Sequence, residues 1–133
     1  MEYKTLDYNE AQILNLYNDS NWTSYTNNPR SLFDGIRNST YTYAAYDEDQ
    51  LVGLIRIVGD EHTIIYIQDI IVLKSHQRRG IGQKLMSHVL IKYKDVRQII
   101  LTTIQSESHK AFYESVGFVP FDSLKLRGYY LKK

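Results

Sequence analysis

The hydrophobic positions of the first 39 residues follow helical spacing after a short extended start. Residues 2–6 suit a first strand. Residues 9–19 and 27–39 carry apolar side chains three and four positions apart, which predicts two helices. Asn28 suits the N-cap of the second helix, with Pro29 in its first turn, where a missing N–H is tolerated. A polar loop is expected between the two helices.

Three extended patterns come next and predict antiparallel strands joined by short turns. They cover residues 40–47, 51–59 and 64–73. A hairpin centred on residues 60–61 places Arg56 opposite Ile65 and Asp69 opposite Val52. This register puts Arg56 and Asp69 on one face of the sheet but about four residues apart, roughly 13 Å.

The last third of the chain predicts a helix, a strand, a second helix and a closing tail. Apolar residues recur every four positions from Ile81, so an amphipathic helix is expected to begin at the glycines and run to residue 93. A buried strand over residues 96–104 and a helix over 106–118 follow, and the tail from 118 to 133 suits one or two further strands. The whole order predicts an α+β (mixed α/β) fold with a mostly antiparallel sheet of about six to seven strands and about four helices.

Composition narrows the classes of protein that fit this pattern. A length of 133 residues suits one domain over residues 1–133. The net charge of +1 offers no overall field for nucleic acid or membrane, so any basic site must be local. The absence of cysteine excludes a disulfide scaffold, a thiolate zinc site and a cysteine nucleophile. No apolar run approaches the ~20 residues that span a bilayer, and we expect a cytoplasmic protein.

The histidines give no sign of a metal centre. The 4 histidines show no metal-ligand spacing, so no metal is predicted. His88 falls on the helix that follows the glycines, and we expect it at the surface. No Ser-His-Asp arrangement is identifiable from the sequence.

The stretch "SHQRRGIGQKL", residues 75–85, carries the most specific chemistry. A strand-to-helix turn leaves the first helical N–H groups unsatisfied, and the helix dipole adds positive charge there. Glycines let a phosphate approach the backbone, and Arg78, Arg79 and Lys84 add charge. A pyrophosphate site fits these features, and an ordinary helix start with solvated arginines is the alternative. The turn is not a P-loop, and it lacks the third glycine of the dinucleotide fingerprint.

Three landmarks together resemble the GNAT superfamily of acetyl-CoA-dependent N-acetyltransferases. Gln77-Arg78-Arg79-Gly80-Ile81-Gly82 is similar to the family pattern Gln/Arg-x-x-Gly-x-Gly/Ala. Val72 stands eight residues before Gly80, where the family ends a strand on valine. "AFYESVGF", residues 111–118, resembles the family's "FYE…GF" helix end. The resemblance covers residues 40–121 well, and finer features resemble a bacterial branch related to arylalkylamine-type acetyltransferases.

The resemblance implies a GNAT-like fold whose strands splay apart at the cofactor site, with acetyl-CoA as cosubstrate and no metal. It implies that the acetyl-CoA-binding residues are Ile71, Val72, Gln77, Arg78, Arg79, Gly80, Ile81, Gly82 and Lys84. The backbone N–H of Val72 is the expected oxyanion donor, and the free strand edge is expected to bind the pantetheine arm. Tyr113 matches the family's usual sulfur-protonating tyrosine, and a packing tyrosine is the alternative.

Two charged residues on apolar strands need either partners or a role. A carboxylate at Asp69 costs free energy unless it is paired or functional. It is a candidate catalytic residue that accepts the amine proton or binds the substrate ammonium, or else a structural carboxylate tied to donors. Arg56 presents the same two alternatives. Arg56, Trp22 and Tyr25 are candidate substrate-binding residues. The resemblance implies that the two-helix region, which holds Trp22 and Tyr25, walls the acceptor site; aromatic walls suit a small amine with an apolar body, although these residues fit a core equally well.

The sequence departs from the family pattern at two places. Ser106 stands where many members have an asparagine, and Lys74 or Ser75 replaces a common proline. Two other functions remain open: a catalytically silent acyl-CoA sensor, and a nucleic-acid module that uses the basic turn from Lys74 to Arg79. The favoured reading is an N-acetyltransferase for a small-molecule primary amine, a monomer or homodimer without nucleic-acid or membrane partners.

Overall fold

A five-stranded sheet organises the first part of the chain. The computed structural model describes residues 1–133, and they divide into two units, Met1–Thr102 and Thr103–Lys133. The strands of the first unit are β1 (Glu2–Thr5), β2 (Tyr41–Asp47), β3 (Gln50–Gly59), β4 (Ile64–Val72) and β5 (Gln98–Leu101). Its helices are α1 (Glu10–Asp19), α2 (Thr23–Thr26), α3 (Pro29–Arg37) and α4 (Ile81–Lys92), with a 3-10 helix at Lys74–His76.

The strands lie in the order β1-β2-β3-β4-β5, and only the last pair is parallel. The parallel ladder joins Ile64–Ile67 of β4 to the whole of β5. Beyond Ile67, β4 continues to Val72 without a ladder partner on that side. Strands β4 and β5 therefore separate half-way along β4, as the resemblance implied.

A β-bulge at Gln68 interrupts the antiparallel pairing of β3 with β4. Ile57 lies opposite Ile67 while Arg56 lies opposite Asp69, so Gln68 is the extra residue of β4. The predicted register was therefore wrong: Arg56 and Asp69 do share a face, but they are direct neighbours instead of being about 13 Å apart. A bulge also reverses which face the following side chains occupy.

The two faces of the sheet are covered by different helices. On one face, Gly53 of β3 gives α4 a close approach, because a Cβ there would lie 3.1 Å from Ile81 and 3.3 Å from Leu85. On the other face, Ile13, Leu16 and Tyr17 of α1 are fully buried. The helical spacing in the sequence therefore identified the core-facing sides of α1 and α4 correctly.

Three of the four longer helices begin with a side-chain cap, and the cap at Asn28 is the predicted one. The side chains of Asn9, Asn28 and Ser106 accept a hydrogen bond from the amide three residues later. The exception is α4, whose N-cap is Gly80 with a φ of 80° and no side-chain oxygen.

The second unit contains α5 (Glu107–Ser115) and a 3-10 helix at Phe121–Leu124. The predicted closing strands are absent, because no strand follows β5 and the chain turns through a left-handed residue, Lys125, with a φ of 59°. Tyr129 and Tyr130 are 90% and 95% exposed, so they form no buried strand face.

The counts of elements need a small correction. The sheet has five strands instead of six to seven. The chain has five α-helices instead of four, because the predicted polar loop contains the short helix α2. His88 on α4 is half-buried and therefore only partly at the surface, because its ring stacks on Tyr43 with the ring centres 3.5 Å apart. No helix is long and apolar enough to cross a membrane.

Candidate functional site

The glycine-rich turn connects the free end of β4 to α4. Two of its residues adopt left-handed backbone conformations, Arg78 with a φ of 64° and Gly80 with a φ of 80°. A Cβ at Gly80 would meet no atom within 4 Å, so this position requires glycine for its backbone angle and not for space. Arg78, Arg79 and Lys84 are exposed, as a phosphate-binding role requires.

The amino terminus of α4 has the geometry of an anion site. Helix α4 begins at Ile81, and no side chain caps its first amides. Unsatisfied N–H groups and the positive end of the dipole then point out of the helix. Arg78 and Arg79 immediately precede these amides in the chain. The residues present therefore fit a pyrophosphate group.

The strand edge beside the turn presents backbone groups to a ligand. The amide of Leu73 donates to the carbonyl of Val52 on β3 at 2.9 Å. Because successive amides in a strand alternate in direction, the amide of Val72 faces away from β3, on the side where the ladder with β5 has ended. The carbonyl of Val72 accepts a hydrogen bond from Gln77 Nε2 at 3.1 Å. Ile71 is buried beside Val72.

Arg56 and Asp69 form a buried ion pair at the centre of the other face of the sheet. Arg56 Nε donates to Asp69 Oδ2 at 2.8 Å, and the two side chains are 8% and 2% exposed. Arg56 Nη1 also donates to the carbonyl of Gly35 at 3.3 Å and to Ser39 Oγ at 3.2 Å. These contacts join β3, β4 and the end of α3.

Two tyrosines complete the shell around the Asp69 carboxylate. The hydroxyl of Tyr17 donates to Oδ2 and that of Tyr25 donates to Oδ1, each at 2.9 Å. The Tyr25 oxygen also accepts from Arg56 Nη2 at 3.1 Å and from Gln68 Nε2 at 3.0 Å. Asp69 therefore accepts hydrogen bonds on both oxygens, and Tyr25 both donates and accepts.

The aromatic residues predicted to bind substrate do lie together. Trp22, Tyr25 and Tyr17 form a cluster with ring centres 5.3 to 6.0 Å apart. Trp22 and Tyr25 are half-buried, whereas Tyr17 is fully buried. Burial, and then the charge of Asp69, raises the pKa of Tyr25 and raises that of Tyr17 well above its ordinary value. Both phenols therefore stay protonated at neutral pH and act as donors to Asp69.

Tyr113 belongs to the second unit and lies on α5. Its ring packs edge-on against Phe112 and Phe118, with ring centres 5.1 and 6.1 Å away. Burial raises the pKa of Tyr113, and the side chain of Thr103 partly opposes this rise. The phenol is therefore a weaker acid than a free tyrosine, but it keeps a proton with which to donate a hydrogen bond.

The structure gathers the predicted residues into two groups within the first unit. One group contains Trp22, Tyr25, Arg56 and Asp69, and the other contains Ile71, Val72 and the turn from Gln77 to Lys84. Sequence reasoning missed Tyr17, which its spacing marked only as a core residue, and Gln68, whose role depends on a bulge. No group of three histidine, cysteine, aspartate or glutamate side chains has a metal-binding arrangement.

Comparison with known proteins agrees with this geometry. The family model of the acetyltransferase (GNAT) domain matches residues 4–128. A GNAT-family acetyltransferase from Streptococcus pneumoniae is 33% identical, with a TM-score of 0.88 over 99% of this chain and 96% of that chain. A protein of unknown function from meticillin-resistant Staphylococcus aureus is 25% identical, with a TM-score of 0.80 over 99% and 98% of the two chains.

A more distant structure adds a ligand-bound example of the same fold. The aminoglycoside N-acetyltransferase AAC(6')-Iy in complex with CoA is 14% identical and has a TM-score of 0.75, with 99% of this chain and 93% of that chain covered. The chain described here belongs to the GNAT family of acetyltransferases.

Proposed function

We propose that this protein, as one domain over residues 1–133, transfers an acetyl group from acetyl-CoA to the primary amine of a small molecule. The observation that carries the proposal is the uncapped start of α4 at Gly80, preceded by two exposed arginines and placed beside the free edge of β4. A donor with a pyrophosphate and an amide-containing arm needs both features.

The donor is bound along two surfaces of the first unit. Its pyrophosphate accepts hydrogen bonds from the first amides of α4 and is attracted by Arg78, Arg79 and Lys84. Its pantetheine arm lies along the free edge of β4 beyond Ile67, as an added strand would. Gln77, which holds the Val72 carbonyl at 3.1 Å, keeps this end of the strand in place.

The reaction is a direct attack of the amine nitrogen on the thioester carbonyl. An alkylamine has a pKa of about 10.4, so it must lose a proton before it attacks. The N–C bond forms, the negative charge on the carbonyl oxygen is stabilised by the amide of Val72, and the C–S bond then breaks. The thiolate of CoA takes up a proton, and Tyr113 stabilises it by donating a hydrogen bond.

The role of Tyr113 follows from its acidity. An ordinary tyrosine has a pKa near 10 and a thiol near 8.5, so full proton transfer to the thiolate runs uphill. Burial raises the pKa of Tyr113 further. We therefore assign it the role of hydrogen-bond donor to the sulfur, with the proton itself supplied through solvent.

The acceptor amine is proposed to lie against Trp22 and Tyr25. Aromatic faces of this kind suit an apolar or aromatic body. The structure suggests a different role for Asp69 from the proton acceptor considered first, because three donors already occupy its two oxygens. Asp69 and Arg56 instead hold Tyr25 in position, and the amine proton leaves through water.

Two measurements on the purified protein test the function. CoA and acetyl-CoA should raise the melting temperature, by an amount that corresponds to about 2.7 kcal/mol at a hundredfold excess over the dissociation constant. Thiol release should then be measured against a panel of arylalkylamines, polyamines, amino sugars, amino acids and peptides. Release with a small aromatic amine supports the proposal, whereas a preference for peptides contradicts the acceptor class.

The remaining outcomes identify the alternatives. Binding of CoA without turnover across the whole panel would indicate an acyl-CoA sensor. Failure to bind CoA, together with oligonucleotide binding that weakens steeply with salt, would indicate a nucleic-acid module.

A further inference from the structure

Two carboxylates from other elements of the fold contact the start of the glycine-rich turn. The amide of Lys74 donates to Asp19 Oδ2 at 2.8 Å, and Asp19 is the last residue of α1. His76 Nε2 lies 2.8 Å from Asp47 Oδ2, and Asp47 is the last residue of β2. The other ring nitrogen of His76, Nδ1, lies 2.7 Å from the hydroxyl of Ser75.

His76 is placed to control the shape of the turn. Its side chain is 12% exposed, so both ring nitrogens are committed to protein partners in a protected position. It precedes by two residues the left-handed Arg78, and Gly80 is left-handed as well. A left-handed residue other than glycine persists only where the surrounding structure holds it. The contact between His76 and Asp47 ties the start of this segment, just before Arg78, to the end of β2.

The charges around His76 show why its position matters for an anionic ligand. Asp47 is the partner of His76, and it also lies within the electrostatic influence of Arg79. Lys74 and Arg78 are the other charged residues of the turn. If the turn shifted, the arginines and the first amides of α4 would no longer face one phosphate group together.

We propose that His76, held by Asp47, is a positioning residue that fixes the turn from Lys74 to Gly80 for the phosphates of the acyl donor. The inference rests on the proposed function, because it requires that the donor binds at this turn. It assigns His76 no contact with the reacting atoms, so its loss should affect donor binding and leave the chemical step unchanged.

The experiment compares His76→Ala and Asp47→Ala with the wild type. The dissociation constant of CoA is measured by calorimetry, and KM for acetyl-CoA, KM for the amine and kcat are measured at steady state. Each variant should raise the dissociation constant of CoA and the KM for acetyl-CoA about 5- to 20-fold, as is typical when one contact of a network is removed. The kcat at saturating donor and the KM of the amine should stay within about twofold, a split that simple loss of stability does not produce.

Further variants identify the contact itself. The double variant should bind CoA no more weakly than either single one, because the two residues act through one contact. His76→Gln, which carries a donor nitrogen at a similar reach, should recover binding to within about threefold of the wild type. His62→Ala removes an exposed histidine from the β3–β4 connection and should change nothing. Asp47→Asn gives a second test if an alanine variant fails to fold.

The outcomes separate this inference from the proposed function. Unchanged CoA affinity in His76→Ala, or tighter binding in Asp47→Ala, overturns the positioning role while the proposed function stands. A loss confined to kcat also overturns it, because His76 would then act in the chemistry. Failure of the wild type to bind CoA overturns both.

Discussion

Two charged regions, the Arg56–Asp69 pair on β3 and β4 and the turn that follows β4, differ in how their polar groups are satisfied. At the Arg56–Asp69 pair, every buried side-chain polar atom has a partner within the protein. At the turn that ends in Gly80, the arginines are exposed and no side chain caps α4. The first region is complete without a ligand, whereas the second offers donors that only a ligand or solvent can satisfy. Of the two regions, only the turn that ends in Gly80 therefore has polar groups free to bind a ligand.

The same difference predicts which property each region controls. Removing one member of a buried ion pair leaves an uncompensated charge and costs about 3–5 kcal/mol. Exposed charges contribute about 0–1 kcal/mol to stability, but they attract an anionic ligand. Substitutions at the pair should therefore change the melting temperature, and substitutions at the turn should change donor affinity.

The largest expected effect is the loss of stability in Asp69→Ala. The variant leaves the Arg56 guanidinium buried without its counter-charge and removes the acceptor of two tyrosine hydroxyls. We expect destabilisation of about 3–5 kcal/mol, measured by chemical denaturation. Arg56→Met combined with Asp69→Leu should recover much of this loss, because an apolar pair removes both charges. A change below about 1 kcal/mol in Asp69→Ala would show that the pair is not structural.

The next effect concerns chemistry alone and is expected in Tyr113→Phe. The variant keeps the ring that packs against Phe112 and Phe118, so stability and CoA affinity should be close to wild type. The kcat should fall by about 100-fold, the lower end of the range for a positioned proton donor, because a phenol is a poor acid for a thiolate. An acyl donor whose thiol has a lower pKa should reduce the effect.

Rate measurements with chemistry shown to be rate-limiting decide the role of Tyr113. If kcat is unchanged under those conditions, Tyr113 is a packing residue and donates no hydrogen bond to the leaving sulfur.

A smaller effect is expected from a matched pair of variants in the turn. Arg78→Gly removes a charge and relieves a left-handed backbone, so CoA should bind about 3- to 10-fold more weakly while stability is unchanged or slightly higher. Gly80→Ala keeps every charge but strains the backbone at a φ of 80°, so it should destabilise the fold by about 1–2 kcal/mol.

Salt distinguishes the two regions in the wild type. Raising NaCl from about 0.1 to 0.5 M should weaken CoA binding, because exposed charges are screened, and should leave the contribution of the buried pair nearly unchanged. If Arg78→Gly destabilises the fold and leaves CoA affinity intact, the proposed division of roles is wrong.

The smallest effect is a pH dependence that arises further along α4. Burial, and then the charge of Lys92, lowers the pKa of His88, whose Nε2 lies 2.8 Å from the Tyr41 hydroxyl and whose ring stacks on Tyr43. The unfolded chain therefore binds this proton more readily, with a pKa of about 6.5. Stability is greatest above that pH and falls as the pH drops through it towards the lower folded value.

Melting curves at two pH values measure this dependence. The wild type should lose about 1–3 °C on going from pH 7.5 to 5.5 through His88, an effect kept small by its partial exposure. His88→Gln should remove this part of the change in melting temperature with pH, whatever the stability of the variant at pH 7.5. An identical slope in the two proteins would show that His88 does not titrate in this range.

The sequence predicted the features that depend on short stretches of chain. The cap at Asn28 was visible because cap and amide lie three residues apart. The turn at Gly80 was visible because its glycines and arginines are contiguous, and because they resemble a family motif. Features of this kind are formed by residues that are close together in the chain, so the sequence alone reports them.

The register of β3 and β4 could not be predicted in the same way. The connection is longer than a two-residue turn, because Asp60 Oδ1 accepts hydrogen bonds from the amides of His62, Thr63 and Ile64. The bulge at Gln68 then adds one further residue. Arg56, predicted opposite Ile65, therefore lies opposite Asp69. Hydrophobic alternation reports neither the local hydrogen bonds of Asp60 nor the bulge at Gln68.

The tail was mispredicted for a related reason. Its tyrosines and leucines have strand propensity, but propensity alone does not form a strand. The chain instead turns at Lys125, and the apolar side chains that follow are exposed.

The bulge at Gln68 adds one residue to β4 without changing the partner of Asp69. Before it, Ile67 pairs with Ile57, which faces α4; after it, Asp69 pairs with Arg56 on the opposite face. Deleting Gln68 would leave Asp69 opposite Arg56, because Asp69 would then follow Ile67 directly in a regular ladder. The deletion would remove the amide that donates to the Tyr25 hydroxyl. A homologue with an alignment gap at this position should therefore keep the ion pair and lose one of the groups that hold Tyr25.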